Sequence, residues 1–142
     1  MIKNFFKVPP HSTLASTALF LVRLGVGCAF LIHGWQKMQS PMSWMPPGSP
    51  VPGFFQFLAA FSEFGGGLAW VLGLLTPLAS LGIFFTMVVA VCTHAFMLKD
   101  PFVNLTGGRS FELPLAYLLT SILILALGPG KISLDAKIFG QR

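Results

Sequence analysis

The sequence predicts an all-α integral membrane protein: a four-helix bundle forming one membrane domain over residues 1–142, with both termini in the cytoplasm. Two observations carry this prediction. Hydrophobic residues make up 54% of the chain and charged residues only 9%, whereas soluble domains carry about a quarter charged residues. The apolar residues also fall into four runs, 14–38, 54–75, 77–98 and 112–128, each close to the roughly 17–25 residues a spanning helix needs. Deep inside these runs stand only two charges, Arg23 and Glu63. Each costs at least about 2.5–3.5 kcal/mol at membrane depth if left unpaired.

The first run follows Lys3 and Lys7, as a secretory signal would, but its length, its internal Arg23 and the lack of a small-residue cleavage site predict a retained helix. Residues 39–53 carry five prolines with Trp44, Met42 and Met45. That composition excludes a helix and favours the membrane interface, either as an ordered cover over the bundle end or as a plain loop anchored by Trp44. In the second run, Gly65, Ala69 and Gly73 form a small-residue ridge suited to close helix approach, within the bundle or in a homo-oligomer. Leu75-Thr76-Pro77 leaves room only for a tight hairpin, with Pro77 in the first turn of helix three. The two helices it joins must therefore pack antiparallel.

The 99–111 loop precedes helix four, which Ser110 is placed to cap, with Pro114 in the tolerated first turn. Within it, Asn104-Leu105-Thr106 matches a glycosylation acceptor, a pattern too short to carry weight. Gly128-Pro129-Gly130 ends helix four, and residues 131–139 are expected to form a short interfacial turn.

Basic residues in short flanks set the expected orientation. Lys3, Lys7, Lys131, Lys137 and Arg142 lie outside the first and last helices, the 39–53 connection has no Lys or Arg, and the 99–111 loop holds Lys99 and Arg109. This asymmetry places both termini in the cytoplasm. The net charge of +5 then reads as anchoring on anionic membrane lipid rather than nucleic-acid binding, since no basic stripe lies on a soluble face. Cys28 and Cys92 stand alone in apolar context and are expected to be buried free thiols, with a disulfide between helices one and three unforced.

With this topology, Arg23 and Glu63 each lie about nine residues into their own run and are expected at matching depth, as a buried ion pair. At about 100° per residue, Ser16, Arg23, Gly27, Phe30, Gly34 and Lys37 share one stripe of helix one, with His33 at its edge. Gln56, Ala60, Glu63, Gly67, Trp70 and Leu74 share a face of helix two. Both stripes must face protein.

At the outer end, His33, Lys37, His94 and Glu112 are expected to converge from three helices. A quinone head group suits such a cluster, because its carbonyl oxygens need N–H donors while its tail needs an apolar bundle. A metal ion suits it less, because Lys37 repels a cation and no i, i+4 ligand pair is present, so no metal is assigned. The third reading is a self-satisfied polar cap. No soluble-enzyme motif competes: there is no phosphate loop, dinucleotide fingerprint or nucleophile elbow, and no set of residues completes an intrinsic redox centre.

Arg23-Leu24-Gly25-Val26-Gly27, Phe30, His33-Gly34, Lys37, Glu63, Gly65-Gly66-Gly67, Gly73-Leu74-Leu75-Thr76, His94, Glu112-Leu113, Gly128-Pro129-Gly130 and Ser133-Leu134-Asp135 together resemble the DoxX family over residues 19–135. The resemblance implies a small four-helix protein of the bacterial inner (plasma) membrane. It also implies kinship with the DoxD and DoxA subunits of thiosulfate:quinone oxidoreductase and with membrane systems that handle oxidative stress. It singles out Arg23, His33, Lys37, Glu63, His94 and Glu112 without assigning roles, and the chain departs from the family where Pro77 replaces a common Arg or Lys.

Two functions follow as expectations. One is a subunit or anchor of a quinone-linked redox system, with redox-enzyme partner subunits and a quinone as the external cofactor. The other is a non-catalytic membrane scaffold whose polar residues only specify helix packing.

Overall fold

The computed structural model describes residues 5–141, and within them the protein is helical, with no strand and one isolated bridge between Val8 and Gln141. The helices are α1 (Thr13–Met38), α2 (Gly53–Leu72), α3 (Thr76–Cys92), α4 (Glu112–Leu127) and the short α5 (Leu134–Phe139). A π-helical turn, Thr93–Met97, continues α3. The run from Thr13, that from Gly53 and that from Thr76 through Met97 are long and apolar enough to cross a membrane, while the 16 residues of α4 form a shorter apolar helix. Its length, about 24 Å, falls somewhat short of a hydrocarbon core of about 30 Å.

Local chemistry explains the boundaries. The Ser12 hydroxyl accepts from the Ala15 N–H and starts α1. α2 ends at Gly73 in the left-handed conformation, φ 64°, where its N–H reaches the last turn. Leu75 follows at φ 48°, so α3 begins almost at once, with Pro77 in its first turn as expected. α4 starts at Glu112 behind Phe111, with no side-chain cap, so Ser110 does not take the capping role.

The helices pack in chain order, α1 on α2, α2 on α3 and α3 on α4. α1 and α4 lack a comparable backbone approach and meet through side chains such as Phe30 and Tyr117, whose ring centroids are 4.8 Å apart. Phe30, Trp70, Ile83, Met87 and Ile124 form the apolar core, with Phe30 edge-on to Trp70.

The close approaches differ from the expected ridge. A Cβ on Gly67 would lie 2.8 Å from the Gly27 carbonyl oxygen and from the Leu31 nitrogen, and one on Gly34 would strike the Phe64 backbone. Gly66 turns the other way, onto Ile83 of α3. Gly65 meets only Phe61 of its own helix, so the Gly65-Ala69-Gly73 ridge is not the internal contact. Cys28 and Cys92 are free thiols on exposed faces rather than buried ones. An apolar helix surface in lipid accommodates them without a protein partner.

The glycine interlock sets the register of α1 against α2 and overturns the expected Arg23–Glu63 pair. Gly34 lies beside Glu63 and Phe64, whereas Arg23 lies beside Trp70 and Gly73. The eleven positions from Arg23 to Gly34 amount to about 16 Å along the helix axis. The two charges therefore occupy opposite halves of the bundle. Counting from the start of each run misplaces them, because α1 begins well beyond the end of α2.

That overhang is filled by the chain after α4. Residues 131–139 do not form a mere interfacial turn: Ser133 and Asp135 are buried and α5 follows. The Arg23 guanidinium, fully buried, donates from Nη1 to the Trp70 carbonyl at 2.8 Å and from Nη2 to the Ile132 carbonyl at 2.5 Å. Asp135 accepts from the N–H groups of Leu75 at 2.7 Å and Thr76 at 2.8 Å, capping α3 from a distant part of the chain. Its own N–H donates to the Gly73 carbonyl. Arg23 and Asp135 thus tie α1, the α2–α3 turn and the C-terminal segment into one polar knot at the end that holds both termini.

Candidate functional site at the loop end

The opposite end carries the two long connections and a cavity of about 250 Å³. Its polar lining is His33 and Lys37 from α1, Glu63 from α2 and His94 from the π-helical turn. Phe30, Met87, Ala90, Leu113 and Pro114 supply the apolar remainder, and Tyr117 adds an aromatic ring that carries a hydroxyl. Single-turn π segments recur at functional sites because the extra residue rotates side chains off the regular helical face, and here that residue set includes His94.

Glu63 is the deepest charge in this cavity, 3% exposed. Its Oε1 receives the Lys37 ammonium at 2.5 Å, so Lys37 is the counter-ion that Arg23 was expected to be. The other oxygen, Oε2, is buried and has no hydrogen-bond partner among the described residues. A buried carboxylate oxygen left unpaired is costly. Lys37 also lies 4.4 Å from the centroid of the Trp44 ring, a cation–π contact.

Trp44 holds that position because the proline-rich connection is ordered. Its indole N–H donates to the Gln56 carbonyl at 2.9 Å, while the Gln56 side chain accepts from the Met45 N–H and donates to the Val51 carbonyl. A Cβ on Gly53 would meet the Met42 carbonyl at 2.8 Å, so the loop closes tightly onto the start of α2. Residues 39–53 are thus the ordered cover rather than a plain anchored loop.

On the other side, His94 Nδ1 lies 2.8 Å from Asp100 Oδ2. With the proton on Nδ1, Asp100 fixes the ring and leaves Nε2 available to the cavity. Arg109 Nε stands 3.8 Å from the second Asp100 oxygen. In the same loop, Asn104 Oδ1 accepts from the Thr106 N–H and hydroxyl, so the Asn104-Leu105-Thr106 triplet forms a local turn. His33 is exposed and makes no hydrogen bond within the described residues.

The structure therefore brings His33, Lys37 and His94 to one cavity but leaves Glu112 out. Leu113 and Tyr117, four positions apart on α4, face the cavity, whereas Glu112 lies about 100° around the helix and is exposed. Glu63 supplies the carboxylate in its place. Sequence reasoning also missed Asp100 and Tyr117. Tyr117 is the only tyrosine of the chain, and Asp100 follows His94 by six residues, signals that gain meaning only once the loop folds back. Among the described residues, no three His, Cys, Asp or Glu side chains converge as a metal-ligand set.

Comparison with known proteins fits this architecture. The chain is 31% identical over 132 residues to the uncharacterized membrane protein Rv3486 of Mycobacterium tuberculosis, covering 85% of this chain and 81% of that protein. It is 31% identical over 134 residues to the inner membrane protein YphA of Escherichia coli, covering 84% of this chain and 89% of that one. No solved structure matches the chain. With its apolar helices, it is a multi-pass protein of the bacterial inner membrane. The DoxX family profile matches residues 18–96, more than half the sequence, and with these two relatives it shows that the protein belongs to the DoxX family.

Proposed function

We propose that the protein is a quinone-binding subunit or anchor of a redox system in the membrane, and that the loop-end cavity holds the quinone head group. The observation that carries this reading is the pairing of an unpartnered, buried Glu63 oxygen with N–H donors in a cavity whose floor is apolar. Lys37 and His33 are suited to donate to quinone carbonyl oxygens, and Glu63 is suited to accept from a hydroxyl of the reduced ring. His94, oriented by Asp100, can hold or release a proton at Nε2. When bound, the quinone itself supplies the electron-accepting chemistry. The basic flanks favour both termini in the cytoplasm, which puts the cavity near the outer face.

Quinone titration of the purified protein tests the proposal. The head group is expected to bind saturably, and His94→Ala to weaken it at least tenfold without changing the helical content. Unchanged binding in that variant overturns the site.

A scaffold reading has one observation in its favour: Lys37 and His94 already have partners, Glu63 and Asp100. Recovery of bound enzymes from native membranes, together with no quinone binding, supports it over the first.

A further inference from the structure

We infer that the cavity is entered sideways from the lipid, through a mouth between α1 and α4, and that its ligand is a ring compound with a long apolar tail that stays in the bilayer groove outside. This inference rests on the proposed head-group site and specifies how that site is reached and by which class of molecule.

The first ground is the order of packing. α1–α2, α2–α3 and α3–α4 are the close helix pairs, and α1–α4 is not among them. The wall of the bundle is therefore thinnest where the cavity is lined from both α1 and α4. Exposure varies in the same direction. Glu63, Met87 and Phe30 at the back are buried, while His33 on α1 and Leu113 on α4, 51% exposed, form opposite lips.

The second ground is the roof. On the α1–α2 side, Trp44 lies over Lys37 and is tied down through Gln56. On the α3 side, the 99–111 loop folds back through Asp100 to His94 and through the Phe111 N–H to the Pro101 carbonyl. The two loops thus lie over the polar end of the cavity, at Lys37 and His94.

The third ground is size and polarity. A cavity of about 250 Å³ lies below the roughly 300–1,000 Å³ of sites that enclose a whole drug-sized ligand, so it has room for a substituted ring and little else. Its polar groups gather at Lys37, Glu63 and His94, whereas Phe30 lies seven positions before Lys37 and Met87 seven before His94, about 10 Å deeper. Tyr117 lies five positions into α4 from Glu112, about 8 Å from its start. The apolar part of the cavity thus lies deeper than its polar groups, at hydrocarbon depth, so a side opening between α1 and α4 suits an alkyl or isoprenoid tail and not a water-soluble ligand.

The test uses the full-length protein in lipid nanodiscs and two probes. One is a benzoquinone with no tail. The other bears a decyl tail ending in a photoreactive diazirine, and labelled positions are mapped by mass spectrometry. The expected result is labelling on α1 and α4 and not on residues 39–53 or 99–111, reduced at least tenfold by excess tail-less quinone. Competed labelling confined to the two loops overturns lateral entry and leaves the head-group site standing. Saturable binding of the tail-less probe with tail labelling that it does not compete also overturns lateral entry. If neither probe binds saturably, the proposed function fails, and this inference with it.

Discussion

The two ends of the bundle use the same kind of residue to opposite effect. At the terminal end, Arg23 and Asp135 are both fully buried, and their hydrogen bonds go almost entirely to backbone groups: Trp70, Ile132, Leu75 and Thr76. At the loop end, Lys37 and Glu63 bond to each other, Glu63 keeps an oxygen without a partner, and the pair borders a cavity. A charge bonded to fixed backbone atoms determines where segments of chain lie. A charge bonded to another side chain can exchange that partner for a ligand. Even the knot is imperfect, since Arg23 Nε and Thr76 Oγ1 lack partners among the described residues, yet both are packed against protein. The contrast is why stability is expected to rest on the terminal end and why the proposed head-group site lies at the loop end.

The largest expected effect comes from breaking the knot. Arg23→Ala removes a fully buried side chain together with its bonds to the Trp70 and Ile132 carbonyls, and should destabilise the fold by about 3–5 kcal/mol. Thermal unfolding in mild detergent is the measurement, and a shift no larger than that of a loop-end variant breaks the comparison.

The interlock between the two ends is next. Gly34→Ala forces α1 away from Phe64 and should cost about 1–3 kcal/mol through overpacking. Gly25→Ala is the control of opposite sign. A Cβ there meets nothing within 4 Å, and losing a mid-helix glycine should stabilise by about 0.5–1 kcal/mol.

Glu63→Gln should cost less than Arg23→Ala, about 1–2 kcal/mol, because the amide oxygen still accepts from Lys37 and Lys37 is 24% exposed. The same variant should lose quinone affinity, so its stability and binding defects should separate. If instead it unfolds the protein as readily as Arg23→Ala, the loop-end pair is structural. A smaller effect on stability, about 0.5–1 kcal/mol for the lost bond to Asp100, is expected for His94→Ala, measured beside its binding loss.

Much of the molecule was legible in the chain. The expected stripe of α1 is buried at Ser16, Arg23, Gly27, Phe30 and Gly34, and that of α2 at Gln56, Ala60, Glu63, Gly67 and Trp70. Such faces follow from helical periodicity, which is a local property. The convergence of His33, Lys37 and His94 was also legible, because each lies near the same end of its own helix. Glu112 was misplaced by one position of helical phase. Asp100 was not legible as part of the site, since nothing local shows that a loop will fold back on His94.

Hydropathy, prolines and helical periodicity, each acting within a few residues of itself, were enough to place the long apolar helices and their buried faces. Which charges meet was set by how those helices pack. That choice depends on how far one helix slides along another, and the slide is set by Gly27, Gly34 and Gly67 interlocking and by Ile132 and Asp135 occupying the overhang beside Arg23. A shift of about three turns separates an Arg23–Glu63 pair from the Lys37–Glu63 pair and the Arg23 knot, and no residue's own neighbourhood in the chain records it.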